Sequence, residues 1–165
     1  RQDISQCVGS GRGYVNGWGR CMSSIIRGDD NFDSTPASHG RVLRTAGSLS
    51  TTSTTAVDLT GASVTITTGA NPIAYGVAQT SKNSTLSEYH YYNVLVDGVK
   101  QHGSTGTVSS QPVANFFCNT SFSGLTAPLS AGSHTIKETF HTNVGTLTIL
   151  ATATHPHLLY AHEVK

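Results

Sequence analysis

From residue 57 onward one pattern repeats: short stretches alternate apolar and polar residues and are cut by turn formers. Val57 and Leu59 alternate with polar neighbours, Gly61 interrupts, and Val64 and Ile66 resume the alternation. Residues 69–72 read as a turn, and Ile73, Tyr75 and Val77 make the next strand. A strong strand at 89–96 is closed by Asp97-Gly98, a hairpin-type dipeptide. Residues 99–106 read as a loop with a short edge strand, and 113–122 as a longer aromatic strand. The stretch 129–137, Leu-Ser-Ala-Gly-Ser-His-Thr-Ile-Lys, places a turn at Ser130 to Ser133 and starts a strand running to Thr142. Strands at 147–153 and 157–164 follow, separated by His155-Pro156. A period of two places successive side chains on opposite faces of a sheet. About eight such strands, with no convincing helix among them, predict an all-β, two-sheet jelly-roll sandwich.

Composition narrows the partners. Charged residues make up 12% of the 165 and the net charge is +1, so no basic patch argues for nucleic acid. No run of 18 apolar residues is present to span a membrane. A surface so poor in charge fits a protein that works inside an assembly. The chain opens at Arg1 without an initiator Met, which points to processing or to an incomplete N terminus.

Residues 1–46 differ from the rest, and the sandwich is expected at 47–165. Gly9, Gly11, Gly13, Gly17 and Gly19 fall between Cys7 and Cys21, a density that costs too much backbone entropy for an independent fold. The reading is an extended arm that orders on a neighbour, with Tyr14 and Trp18 as anchors. Cys7 and Cys21 are close enough in sequence to close a disulfide loop, but the odd total of three cysteines leaves two free thiols as the alternative. Cys118 reads as a small buried hydrophobe. The glycines do not match a phosphate-binding loop. Asp29, Asn31 and Asp33 begin like a calcium loop, but Ser34 and Gly40 stand where its glycine and closing glutamate belong. Arg27-Gly28-Asp29 is a tripeptide that recurs by chance.

Two strands are apolar on both faces. Tyr89, Tyr91 and Leu95 oppose Tyr92, Val94 and Val96, and Leu159 and Ala161 oppose Leu158, Tyr160 and Val164. A two-layer sandwich uses one face of each strand, so the other is expected to meet a symmetric copy. Tyr89, Tyr91, His134, Tyr160 and His162 are the expected interface residues. Glu138 shares a parity with Ile136 and Phe140, which sends a carboxylate to the core side. It must pair with a cation, reach the sheet edge or sit at a bulge.

With Val94-Leu95-Val96-Asp97-Gly98, the turn and strand at 129–136 and the apolar end at 158–164, residues 47–165 resemble trimeric jelly rolls of the tumour-necrosis-factor and complement-C1q type. The resemblance is nearest to those of bacteriophage fibre, decoration and knob proteins. It implies a homotrimer whose strands at 89–96, 134–142 and 157–164 share an inner sheet near the threefold axis.

No catalytic constellation stands out. Eight histidines invite a metal, but His157 and His162 differ in strand parity, as do His134 and His141. There is no Gly-x-Ser-x-Gly elbow and no carboxylate pair, and Asp97 is a turn former. The expectation is no enzyme, no cofactor and no metal site. Asn83-Ser84-Thr85 and Asn119-Thr120-Ser121 are sequons, the first expected in a loop and the second less accessible in a strand. The expected function is that of a viral structural protein on the virion. It would be a decoration, cement, tail or fibre component that docks on capsid or tail proteins through its arm. The alternatives are a receptor-binding head that recognises a host surface glycan, or a secreted or cell-surface domain.

Overall fold

The computed structural model describes residues 14–15, 21–22, 38–86 and 88–165. The chain divides into two units, Arg1–Pro36 and Ala37–Lys165. In the first unit, strands β1 (Tyr14–Val15) and β2 (Cys21–Met22) pair antiparallel.

The second unit is a two-sheet sandwich, and the described residues contain no helix. One sheet holds β3 (His39–Arg44), β4 (Leu49–Thr51), β6 (Ile73–Asn83), β10 (Cys118–Leu125), β12 (Leu147–Leu150) and β13 (His157–Glu163). The other holds β5 (Val57–Thr68), β7 (Tyr89–Val96), β8 (Val99–Lys100), β9 (Thr107–Ser110) and β11 (Gly132–Thr142). β12 and β13 lie end to end along one edge of β6, with β4 and β3 beyond them, while β10 takes the other edge. Each sheet is therefore four strand positions wide. The orders run β3/β4, β13/β12, β6, β10 and β5, β11, β7, β8/β9. The chain alternates between sheets in the manner of a jelly roll.

Three expectations need correction. The sandwich begins before residue 47, because β3 pairs residue by residue with β13 from His157↔Arg44 to His162↔His39. The Gly40 and Val42 positions face inward, and a side chain at Gly40 would meet Val64. The aromatic strand expected at 113–122 starts only at Cys118, because residues 111–117 form the turn that brings the chain across to β6. The three strands expected in one inner sheet are split. β7 and β11 are neighbours, but residues 143–146 carry the chain to the opposite layer, where β13 pairs with β6.

The turns follow their residues. Asp97 and Gly98 both have positive φ, 50° and 84°, as a two-residue hairpin turn of type I′ requires, and Val96 pairs with Val99 across it. In β5, Leu59 and Ala62 are both buried, so the alternation shifts phase between them. Gly61, at φ 78°, absorbs the shift. The opposing register on β11 jumps between Lys137 and Thr139.

The core is apolar at one end, and at the other Leu147, Ile149 and Phe140 share it with buried polar side chains. Ile66, Ile73, Tyr75, Val77, Val94, Val96, Ile136, Leu159 and Ala161 fill the first part. Toward the far end of β6 the inward positions become Gln79, Ser81 and Asn83, facing His90, Tyr92, Glu138 and Thr142.

Candidate functional surfaces

The turn at residues 130–133 is a structural hinge, and His134 locks it. His134 Nδ1 lies 2.6 Å from Asp97 Oδ2, and Nε2 lies 2.8 Å from the Ser130 carbonyl oxygen. Both acceptors demand an N–H, which the imidazolium supplies on both nitrogens. Asp97 also accepts the Thr135 amide at 2.8 Å, so the β7–β8 turn is tied to the start of β11. The hydrogen bond to Asp97, then that to Ser130, raises the His134 pKa. The His134 hydrogen bond, then the Thr135 amide, lowers that of Asp97. The signs set a window. The raised histidine stabilises fully below its ordinary value of about 6.5 and loses its contribution as pH climbs through the raised value. The lowered carboxylate stabilises above its ordinary 3.8 and loses its contribution as pH falls through the lowered value. Asp97 is half exposed, so solvent screens the pair. His134→Ala is expected to cost about 1 kcal/mol near neutral pH. Urea titrations should show the deficit shrinking toward both ends of the window. A deficit that does not change with pH would show that only packing was lost.

His134 is thus occupied within its own protomer, and its side chain is nearly buried. The other expected interface residues fall on opposite sides of the sandwich. Tyr160 and His162 stack at 6.4 Å and 12° on the outer face of the six-stranded sheet. Tyr89 and Tyr91 lie on the outer face of the other sheet, 6.4 Å apart. One flat contact therefore cannot use both pairs.

The first face is flat because of what β6 turns outward: Ala74, Gly76 and Ala78. A side chain at Gly76 would collide with the Tyr160 ring, which lies across that position. Leu43 and Tyr160 are 52% and 38% exposed there, with Leu158 half-buried beside them. The second face carries His141 opposite Tyr91 in the strand register. The two rings stack at 4.5 Å and 11°. Around them Thr54, Ser104, Thr105 and Asn143 complete a shallow pocket of about 440 Å³. Burial, then the nearby Lys100, lowers the His141 pKa, which favours the uncharged ring. Neither His141 nor the loop residues stood out in the sequence, because only strand pairing brings them to Tyr91.

Inside the sandwich, Glu138 and His157 are both wholly buried, and Oε2 lies 2.7 Å from Nε2. The carboxylate expected on the core side does face inward. It lies at the register jump and reaches across to the opposite sheet. Burial raises its pKa, with the His157 hydrogen bond opposing.

The sequons exchange their expected settings. Asn83 is buried at the end of β6, where its Nδ2 donates to Thr142 Oγ1 and the Val144 carbonyl oxygen. Asn119 is exposed on β10, with its Oδ1 accepting from Thr80 Oγ1 at 2.7 Å. Cys118 is only partly buried, and its thiol donates to the Ser110 carbonyl. Cys7 and Trp18 lie outside the described residues. Of Tyr14 and Cys21, only the strand backbone is described. Among the described residues no group of three or more His, Cys, Asp or Glu side chains is placed to hold a metal ion. No helix among them is long and apolar enough to cross a membrane.

No protein-family model matches this chain, and no curated protein matches it. Among solved structures it is similar to that of the infectious bursal disease virus Gx strain, with 13% identity and a TM-score of 0.41 over 76% of this chain and 37% of the other. The Gt strain of the same virus gives 13% identity and a TM-score of 0.38, over 76% and 37%. A ruminal endo-beta-1,4-mannanase gives 12% identity and a TM-score of 0.35, over 98% of this chain and 25% of the other. The chain spans well under half the length of each of these proteins.

Proposed function

We propose that this protein is a viral structural component, a trimeric decoration, cement or tail-fibre subunit on the virion. In this reading the sandwich packs against its own copies. The N-terminal residues dock on neighbouring capsid or tail proteins, with Tyr14 and Trp18 as anchors. The observation that carries the reading is the outer face of the six-stranded sheet. Leu43 and Leu158 are partners on β3 and β13, Tyr160 lies across Gly76 of β6, and Arg41 opposite Tyr160 adds one charge, so the surface is flat and largely apolar, of the kind that association removes from water. The role is mechanical and needs no reacting groups.

Light scattering of the purified chain at micromolar concentration is expected to give the mass of a trimer. Leu43→Asp combined with Tyr160→Ser is expected to give a monomer with an unchanged far-ultraviolet spectrum, because both side chains lie outside the core. A monomeric parent chain would sink the oligomer. A chain lacking residues 1–36 that still joins its particle normally would sink the docking arm.

A second reading, a receptor-binding head that recognises a surface glycan, is favoured by the pocket at Tyr91 and His141 on the opposite face.

A further inference from the structure

We propose that the pocket between Tyr91, His141 and the loops around them binds a neutral carbohydrate through one or two sugar rings. The proposal rests on the glycan-binding reading and gives it a site and a ligand class. The Tyr91 and His141 rings stand together as a stack, and Tyr89 extends it at a tilt of 46°. Stacking uses the facing sides of Tyr91 and His141, so the C–H face of a pyranose would pack on an outer face of the pair. The remaining lining comes from three loops: Thr54 between β4 and β5, Ser104 and Thr105 between β8 and β9, and Asn143 after β11. Hydroxyl and carboxamide groups both donate and accept, which is what sugar hydroxyls require. Asn143 is held in place because its Oδ1 accepts the Tyr89 amide at 3.0 Å, and its Nδ2 is left to act as a donor. Ser104 is fixed through its carbonyl oxygen, which accepts from Lys100 Nζ at 2.9 Å.

The lining argues for a neutral ligand. None of the six residues is a carboxylate, lysine or arginine, and the nearby Lys100 ammonium is engaged by the Ser104 carbonyl. An anionic sugar would find no free cation in the lining, and a cationic ligand would find no carboxylate. The volume of about 440 Å³ falls within the range of small-ligand sites. The pocket sits on the face opposite Leu43 and Tyr160, so association through that other face leaves it open.

The test uses the full chain on an array of neutral and sialylated oligosaccharides. Saturation-transfer NMR then follows with the neutral disaccharides that score, or with lactose, cellobiose and mannobiose if none does. Binding of a neutral sugar, with an affinity lowered about tenfold by Tyr91→Ala or His141→Ala and retained by Tyr91→Phe, is the expected result. Leu125→Ser, at an exposed position at the end of β10, should leave that affinity unchanged. Neutral-sugar binding that Tyr91→Ala and His141→Ala do not alter would overturn this site while keeping the glycan reading. A preference for sialylated glycans would overturn the ligand class. No signal on the array or in NMR would overturn both the site and the glycan-binding reading. A fall in oligomer mass on Tyr91→Ala would show that the pocket is an interface between copies, which also overturns the proposal.

Discussion

His157→Leu is expected to destabilise the sandwich by about 3–5 kcal/mol, because it strands the Glu138 carboxyl in a fully buried site. The reciprocal change, Glu138→Leu, should cost a comparable amount by removing the group that His157 Nε2 faces. Replacing both by leucine should cost less than either single change, because neither member of the pair is then left without the other; the buried Gln79 and the Arg44 charge that also act on Glu138 remain in all three variants. The three variants form a double-mutant cycle, read by urea unfolding. Additive single effects would show that the two groups act independently despite their 2.7 Å contact. The carboxyl adds a pH signature. Its pKa is already raised by burial, and losing the histidine removes a group that opposes the rise. A raised folded pKa means full stability below the ordinary carboxylate value of 4.5 and a loss as pH climbs through the raised value. The His157→Leu deficit should therefore grow between mildly acidic and mildly alkaline pH. A deficit that shrinks over that range would contradict burial of the carboxyl.

Asn83→Ala is expected to cost about 3 kcal/mol and to loosen one end of the sandwich. The Asn83 side chain donates to Thr142 Oγ1 at 2.8 Å and to the Val144 carbonyl at 3.0 Å, and accepts the Thr85 amide at 3.0 Å. Its backbone is held by a second buried amide: Gln111 accepts from the Asn83 N–H at 2.8 Å and donates back to its carbonyl at 2.6 Å. Together they fasten the turns after β6, β9 and β11. Asn83→Ala removes the side-chain bonds and keeps the Gln111 pair, so the loss should be local. Hydrogen exchange is expected to speed up at residues 84–86 and 143–146 and to change little at the Asp97 turn. A uniform increase over the whole sandwich would mean that Asn83 supports global stability and not this corner. Because Asn143 belongs to the same corner, the variant should also weaken sugar binding at the Tyr91 pocket.

Sequence reasoning reaches the strands and turns because their signals are local. Alternation at Val64 and Ile66 identifies β5, and Asp97-Gly98 identifies a turn that needs positive φ at both residues. It also isolates Glu138, because one parity rule places a carboxylate among Ile136 and Phe140. It misses β3, whose Arg41, Leu43 and Arg44 give no clean alternation. That strand exists because β13 offers it a free edge. It misreads Asn83 as a loop residue because a sequon carries no information on burial. The partners that fix it lie at positions 111 and 142–144.

The amino-acid order by itself determined an all-β chain, its turns, the strands with two apolar faces, and a core-facing carboxylate. Each of these follows from a periodicity of two or from the φ/ψ preference of a short turn, which neighbouring residues set. Only the tertiary structure decided which sheet each strand joins, because strand pairing is a contact between distant segments. It separated Tyr89 and Tyr91 from Tyr160 and His162 onto opposite faces. It also gave Glu138 its histidine and set His141 against Tyr91.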